Sequence, residues 1–425
     1  MAMATDVPNN GFRLSMLVYD TRYRSYTIQF VVLVLFALAV AWLLNNTVQN
    51  LEARGKEFNF NFLWQRAGYD IGQQLIPYSN DSTHFRALLV GLLNTLVVAF
   101  FGCILATIIG VLVGILRLSK NWLVSGLMTV YVEMFRNVPL LLWILLSYVI
   151  LSEVTPAPNA FRITDAMTAA GEVPAASMML WDSVAVTNRG TNVPSPLFDR
   201  GLGTVDLGFM TLNLTFWALV LVIAASVWVN RRIIAAARAL QEATGVRPVT
   251  WWKSVLVLFA PVIIALVAMG FHLEVPELRG FNFQGGILVA HSFTALLIAL
   301  SLYTAAFIAE IVRAGILAIS NGQSEAAFAL GLRPGRTMNL IILPQALRVI
   351  IPPLISQYLN LTKNTSLGIA VSYLDLRGTL GGITLNQTGR ELECMLLMML
   401  IYLTISLMIS SLMNLYNTSV QLKAR

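Results

Sequence analysis

Long apolar runs are the feature of this sequence that most limits its possible folds. We count about eight runs near 20 residues, the length that a helix needs to cross a lipid bilayer. The second could extend past the bilayer or tilt, and the third could begin earlier, near Trp122. The runs lie near Thr27–Leu44, Ala87–Leu116, Val138–Ser152, Gly208–Val229, Ser254–Phe271, Gly286–Ala309, Ile350–Tyr373 and Cys394–Leu415.

The composition excludes a soluble protein of the usual kind. Only 12% of the 425 residues are charged, against about 25% in soluble domains. Because lipid offers no partner to an unpaired backbone group, the runs should be helices. The sequence therefore predicts an all-α integral membrane protein. Its polar start, Met1–Tyr26, lacks the pattern of a cleavable signal, so the first span should stay as an anchor. Cys103 and Cys394 lie in apolar runs and should be free buried thiols.

The basic residues alternate between the loops and give an expected orientation. One set of segments carries 16 Lys and Arg against 4 Asp and Glu, and the remaining loops carry 10 against 15. A Lys and Arg excess marks the cytoplasmic side, so both termini should be inside. The basic set comprises Met1–Tyr26, Arg117–Lys120, Asn230–Lys253, Ile311–Ile350 and Gln421–Arg425. Because the charge is spread over short loops, it does not indicate a nucleic-acid surface.

Three other segments differ from the spans. Asn45–Phe85 and Glu153–Leu207 are long and without a periodic pattern, and they should lie on the outer face. Asn230–Trp252 has helical spacing up to Gly245 and should form a short inner helix that connects two spans.

The predicted inner segment from residue 321 to 350 contains a short polar helix between turns. Ser324 is a suitable N-cap, and Glu325 would then lie in the first turn, where the helix dipole favours an acid. Gly331 suits the C-terminal cap, Pro334 begins a turn, and Pro344 should break the stretch that follows. A short helix with a small face suits insertion into a groove of another protein. The alternative is an amphipathic helix lying on the lipid headgroups.

This spacing resembles the EAA loop of bacterial ABC importer permeases, with every fixed position filled. The fixed positions are Glu325, Ala326, Ala327, Gly331, Ile341, Leu343 and Pro344. The flanks YTAAFIAEIVRAGI, PQALRVIIPPL, LTKNTSL and YVEMFRNVPLLL resemble the polar amino-acid permeases of the histidine/glutamine type. The enlarged layout resembles the subgroup that imports acidic amino acids, their amides and general L-amino acids.

The resemblance implies a type I importer permease fold with an extra N-terminal span and an inserted pair. Residues 1–84 would hold the inner segment, first span and outer loop, and residues 85–420 the permease domain, with the insertion at about 153–285. The helix that contains Glu325, Ala326, Ala327 and Phe328, with Gly331 and Pro344 after it, would couple to a cytoplasmic ATPase.

The same resemblance implies an assembly in the bacterial inner membrane. The partners would be a second, related permease in a heterodimer, two ATPase subunits, a periplasmic solute-binding protein, the amino-acid substrate and membrane lipid. Since the chain has no Gly-x-x-x-x-Gly-Lys-[Ser/Thr] phosphate loop, ATP and Mg would be held by the ATPase subunits. The chain itself would have no cofactor, no metal and no catalytic residue.

Charged residues inside the spans are costly and usually face a pathway or a partner. Glu310 and Arg313 are three residues apart and therefore share a helix face. They form either an ion pair that joins helices or a gate. Lys363, Asn364, Thr365 and Ser366 form a polar break that lies at a solvent-near helix end or lines the substrate pathway. Glu133 and Arg136 should form an interfacial pair. Gly110 and Gly114 permit close helix packing, here or at the subunit interface.

Two other classes of function remain open. A secondary transporter driven by an ion gradient would account for the membrane charges and the broken helix. It would not account for the loop at residues 321–350. A membrane scaffold without transport is disfavoured by the polar residues inside spans.

Overall fold

A computed structural model describes residues 21–53, 55, 58–163, 173–206, 211–246 and 248–420. Contacts divide the chain into two units, Met1–Phe62 and Leu63–Arg425. The first unit contains helix α1, Thr21–Ala53, which includes the predicted span and extends it at both ends. Its apolar side chains are exposed along almost the whole helix, as is typical of a lipid-facing segment. The predicted inner segments at residues 1–20 and 421–425 lie outside the described residues.

The second unit is mostly helical. Its longer helices are α2 His84–Leu116, α3 Trp122–Asn137, α4 Leu140–Glu153, α5 Leu214–Thr244, α6 Trp251–Ala268, α7 His291–Leu317, α8 Asn321–Ala329, α10 Leu343–Asn364 and α12 Glu391–Val420. Two short helices, α9 Pro334–Thr337 and α11 Leu385–Thr388, lie between them.

The described residues contain 7 helices long and apolar enough to span a membrane, or 8 if a bent pair counts as one span. This agrees with the predicted number. The bent pair is α3 and α4, which meet at 107°. The predicted third span, Val138–Ser152, therefore corresponds to α4, whereas the alternative start near Trp122 would give a broken span, because Pro139 cannot donate a backbone hydrogen bond and Val138 before it is extended.

Helix α7 forms the centre of the second unit and runs parallel to α2. Val98 in the middle of α2 shares a buried cluster with Leu296 near the start of α7, and Ala106 shares one with Ile308 further along both helices. Gly110 lies so close to α7 that a Cβ atom there would come within 2.6 Å of Ile308 Cβ. The predicted close packing at the glycines is thus confirmed, and a helix of the same chain occupies it. Since the helices are parallel, both C-terminal ends lie on one side.

The N-terminal side of α7 carries short antiparallel strands, which sequence analysis did not predict. They are β1 Ala185–Thr187, β2 Gly190–Val193, β3 Ser195–Phe198, β4 Thr204–Asp206, β5 Thr211–Asn213, β6 Phe271–Glu274, β7 Glu277–Arg279, β8 Asn282–Gln284 and β9 Ile287–Val289. The largest sheet has the order β1–β2–β9, and the other strands pair as β3–β6, β4–β5 and β7–β8. His291, the first residue of α7, contacts the sheet through Nε2, 2.6 Å from the carbonyl oxygen of Thr187.

Helices α5 and α6 form a hairpin that lies between β5, which pairs with β4, and β6, which pairs with β3. The short inner helix expected within Asn230–Trp252 is wrong as a separate element, because α5 continues without a break to Thr244. Its apolar and basic parts share helical periodicity, so nothing interrupts it before Gly245. That glycine is left-handed, with φ of 73°, and ends the helix as predicted. The predicted start of this span at Gly208 lies outside the described residues.

The segment between α1 and α2 is not uniformly irregular. Residues 63–83, which the sequence division placed with the first span, pack against the start of α2. Ala67 and Ile71 form a buried cluster with Ala87 and Val90. These residues therefore fix one end of α2 within the second unit.

Candidate functional site

The candidate coupling helix is α8, Asn321–Ala329, at the C-terminal end of α7. Its N-cap is Ser320, so the predicted cap at Ser324 is wrong and that residue lies inside the helix. The helix begins early because Ser320 has the extended backbone of a cap. Glu325 accordingly lies in the second turn, beyond the first turn in which the helix dipole favours an acid.

The end of α8 is a compact turn around Gly331. The Gly331 N–H donates to the Phe328 carbonyl at 2.9 Å, and the Leu332 N–H donates to the Ala327 carbonyl at 3.0 Å. These two bonds form a Schellman motif, which needs a left-handed residue after the helix. Gly331 has φ of 72° and supplies it, as predicted.

The two faces of α8 differ sharply in exposure. Ala327 is 1% exposed and packs against its own chain, while Phe328 and Leu330 are 78% and 80% exposed. Glu325 and Ala326 are exposed as well. The helix therefore uses a small side chain to attach to the permease and leaves bulky apolar ones open.

The chain after α8 is helical almost throughout. A π-helix, Met338–Ile342, joins α9 to α10. Pro344 does not break the path as predicted: it lies in the first turn of α10, and the chain enters that helix from the π-helix through Ile342 and Leu343, both of helical backbone. The irregularity that sequence analysis assigned to Pro344 thus occurs before it, as a π-helix.

Glu310 and Arg313 near the end of α7 form the expected ion pair. Arg313 Nη2 lies 2.7 Å from Glu310 Oε1. Sequence analysis missed a third member, Arg117, which it placed in a loop. Arg117 caps the end of α2, and its Nη1 donates to Glu310 Oε2. One carboxylate therefore binds two guanidinium groups from two helices.

Arg117 also contacts α3. Its Nε donates to Thr129 Oγ1 at 3.3 Å, and its carbonyl accepts a hydrogen bond from Ser125 Oγ at 2.9 Å. The side chain of Arg117 is only 9% exposed. We call Arg117, Thr129, Glu310 and Arg313 the ion cluster; it joins the C-terminal ends of α2 and α7 to the middle of α3.

Comparison with known proteins decides the family. A model described as binding-protein-dependent transport system inner membrane component matches residues 247–421. Over 426 residues, covering all of both chains, the sequence is 70% identical to the glutamate/glutamine/aspartate/asparagine transport system permease protein BztB of Rhodobacter capsulatus. The chain belongs to the amino-acid ABC importer permeases.

Two further matches are more distant. The permease is 43% identical over 427 residues to the general L-amino acid transport system permease protein AapQ of Rhizobium johnstonii, covering 99% of this chain and 98% of that one. A solved structure, described as an amino acid ABC transporter with histidines, has 18% sequence identity and a TM-score of 0.43. It covers 79% of this chain and 95% of the other. The predicted resemblance to the enlarged subgroup is confirmed by the two full-length relatives.

The polar break at the end of α10 separates into two environments in this permease. Lys363 is exposed and Thr365 is fully buried, with its hydroxyl donating to the Thr362 carbonyl at 2.9 Å. Asn364 and Ser366 are half-buried. The α-helix changes to a 3-10 helix at Thr365. The four side chains therefore do not share one face.

The expected interfacial pair of Glu133 and Arg136 is wrong. In the described part of the permease these two residues form no ion pair. Arg136 lies over the ring of Phe307 at 5.6 Å, and Glu133 accepts a hydrogen bond from Asn137 at 3.3 Å. A cation can be stabilised by an aromatic face as well as by an acid, and sequence spacing does not distinguish the two.

A buried acid, Asp375, was also missed. Its oxygens accept from the Gly378 N–H at 2.9 Å and from Tyr402 Oη at 3.2 Å. Burial raises the pKa of this carboxyl to about 6. Asp375 lies between the last two candidate spans, and no periodic signal in its own segment marks it as buried.

Neither a disulfide nor a metal site occurs among the described residues. Cys103 and Cys394 are free, as predicted. Within the described ranges, no group of three His, Cys, Asp or Glu residues could hold a metal ion.

Proposed function

We propose that this permease forms the membrane pathway of an ATP-driven importer for polar L-amino acids, with acidic amino acids and their amides as the main class. The names of the two full-length relatives, which include glutamate, glutamine, aspartate, asparagine and general L-amino acids, support this class. The permease itself breaks no bond and presents a pathway with alternating access.

The observation that carries the proposal is the geometry of α8. A short, firmly capped surface helix with two exposed apolar side chains suits a groove in another protein. Burial of Phe328 and Leu330 would contribute roughly 1.5 to 3 kcal/mol each. Glu325, exposed on the same helix, would add a charged contact, and Gly331 would fix the direction of the chain that follows.

The groove would belong to an ATPase subunit. Two such subunits would bind ATP and Mg, and a second, related permease would complete a heterodimer. A solute-binding protein would deliver the amino acid to the side that carries the strands. This arrangement places α8 and both termini in the cytoplasm, in agreement with the basic loops. ATP would close the ATPase pair and move α8 as a lever, so that the pathway opens to the other side.

The candidate pathway residues have unequal support. Lys363, Asn364, Thr365 and Ser366 stand where α10 changes helix type, and such breaks line cavities in other transporters. Glu310 and Arg313 belong to the ion cluster, whose three linked helices favour a structural joint over a gate.

An ion-gradient transporter is the alternative, favoured by the charges at residues 310, 313 and 363. The two can be separated with vesicles that contain both permeases and the ATPase. Radiolabelled L-glutamate, added with the binding protein, should enter only when ATP is enclosed. Glu325→Lys should abolish this uptake while the variant still reaches the membrane. Uptake driven by a sodium or proton gradient without ATP would contradict the proposal.

A further inference from the structure

We infer that the ion cluster is a rigid joint that passes the movement of α8 to α2 and α3 together with α7. The inference deepens the proposed function and rests on it. In this inference Arg117 and Thr129 are positioning residues for transport, although neither belongs to the coupling loop at residues 321–350.

The first support is the way the charges are satisfied. Both carboxylate oxygens of Glu310 accept hydrogen bonds. Oε1 accepts from Arg313 Nη2, and Oε2 accepts from Arg117 Nη1 and, at 3.4 Å, from Arg313 Nε. Arg117 then uses a second nitrogen for Thr129 on α3. An Arg guanidinium holds such contacts in a fixed planar geometry. The ends of α2 and α7 and the middle of α3 are therefore joined at one point, through Arg117.

The second support is the position of this point relative to α8. Glu310 lies seven residues before the end of α7 at Leu317, and α8 begins at Asn321. Seven residues of helix span about 10 Å. Just beyond the cluster, Gly110 and Gly114 bring the α2 backbone against α7. When the end of α7 is displaced, α7 therefore cannot easily bend away from α2.

The third support is the contrast with the other connection of α8. That connection passes through the π-helix at Met338–Ile342, which has no buried residue. A π-helix is a common point of bending, and few buried contacts allow local movement. Of the two connections, the one through α7 is stiff and the one through α10 is hinged. The connection through α7 should therefore transmit the movement of α8.

The test measures how many glutamate molecules are taken up for each ATP hydrolysed by the assembled importer in vesicles. Arg117→Gln should lower this ratio about tenfold while ATP hydrolysis continues, because the joint is lost but the motor remains. Arg117→Lys should recover part of it. Thr129→Val, which keeps the ion pair and the Ser125 bond but removes the side-chain contact of Arg117 with α3, should lower the ratio about threefold.

Arg86 provides a matched control on the same helix. It lies at the other end of α2, where its Nε donates to the Pro77 carbonyl at 2.6 Å. Arg86→Gln should leave the ratio unchanged. A purely structural role for Arg117 would reduce uptake and hydrolysis in proportion, since less complex assembles, and the ratio would not move.

An unchanged ratio in Arg117→Gln would overturn the inference. If that variant fails to assemble, an unchanged ratio in Thr129→Val would overturn it instead. Failure of the proposed function gives a different result, because the wild-type vesicles themselves would then take up no glutamate with ATP.

Discussion

Gly110→Ala tests the contact on which the central helix pair depends. The new Cβ atom would come within 2.6 Å of Ile308 Cβ and 2.9 Å of the Ala305 carbonyl oxygen. The carbonyl belongs to the α7 backbone and cannot turn away, so α2 and α7 must separate by several tenths of an ångström. Overpacking of this kind costs about 1 to 3 kcal/mol. The better helix propensity of alanine offsets about 0.5 to 1 kcal/mol. A net loss of about 1 kcal/mol, and at most about 2.5 kcal/mol, is expected.

Gly126→Ala is the matched control. Gly126 lies within α3, and nothing stands within 4 Å of the position that its Cβ would take. This variant should be as stable as the wild type or gain about 0.5 to 1 kcal/mol. The assay is the midpoint of thermal denaturation in detergent, followed by size exclusion. Gly110→Ala should lower the midpoint and Gly126→Ala should not. Equal midpoints for the two variants would refute the close packing.

Three further perturbations follow from the site. Gly331→Val should reduce ATP-driven uptake without loss of the protein from the membrane, because a left-handed backbone costs a non-glycine residue about 1 to 2 kcal/mol. Gly331→Asn should retain more uptake. Equal uptake by the two variants would contradict the requirement for a left-handed residue at this turn. Between pH 4 and pH 6 the folded state should bind more protons than the unfolded state, since the pKa of Asp375 is raised to about 6. The unfolding free energy should thus fall with rising pH in this window, by about 3 kcal/mol at most, and denaturant titrations of Asp375→Asn should lose that slope. Phe328→Ala should weaken retention of the ATPase subunit on an affinity column. Phe281, which is equally exposed but lies in the turn between β7 and β8, is the control, and Phe281→Ala should have no effect.

Local patterns in the sequence were sufficient for the features that depend on neighbouring residues. The apolar runs gave the number of spans, the spacing of Gly110 and Gly114 gave a close helix contact, and Gly331 gave the end of α8. Each follows from helix periodicity or from the conformation that glycine allows.

Long-range contacts could not be predicted in this way. Arg117 and Glu310 are 193 residues apart, and nothing near either residue specifies the other. Glu133 and Arg136 had suitable spacing, but Phe307 from another helix lies under the arginine. The N-cap of α8 was misplaced because Ser320 and Ser324 are chemically equivalent, and the backbone around each decides which one acts.

The strands were missed for a similar reason. Each has 3 or 4 residues, too few for a clear period of two. Several pair with strands far along the chain; β2, for example, pairs with β9 through Thr191 and Val289. Their stability therefore comes from tertiary pairing rather than from local propensity.

The most direct test of the account is a photocrosslink from α8 in the assembled importer. Benzoylphenylalanine in place of Phe328, which is 78% exposed, should crosslink to the ATPase subunit. The same group in place of Phe281, which is 83% exposed in the turn between β7 and β8, should not. A crosslink to the ATPase from position 281, or none from position 328 in a complex that hydrolyses ATP, would contradict the coupling role of α8.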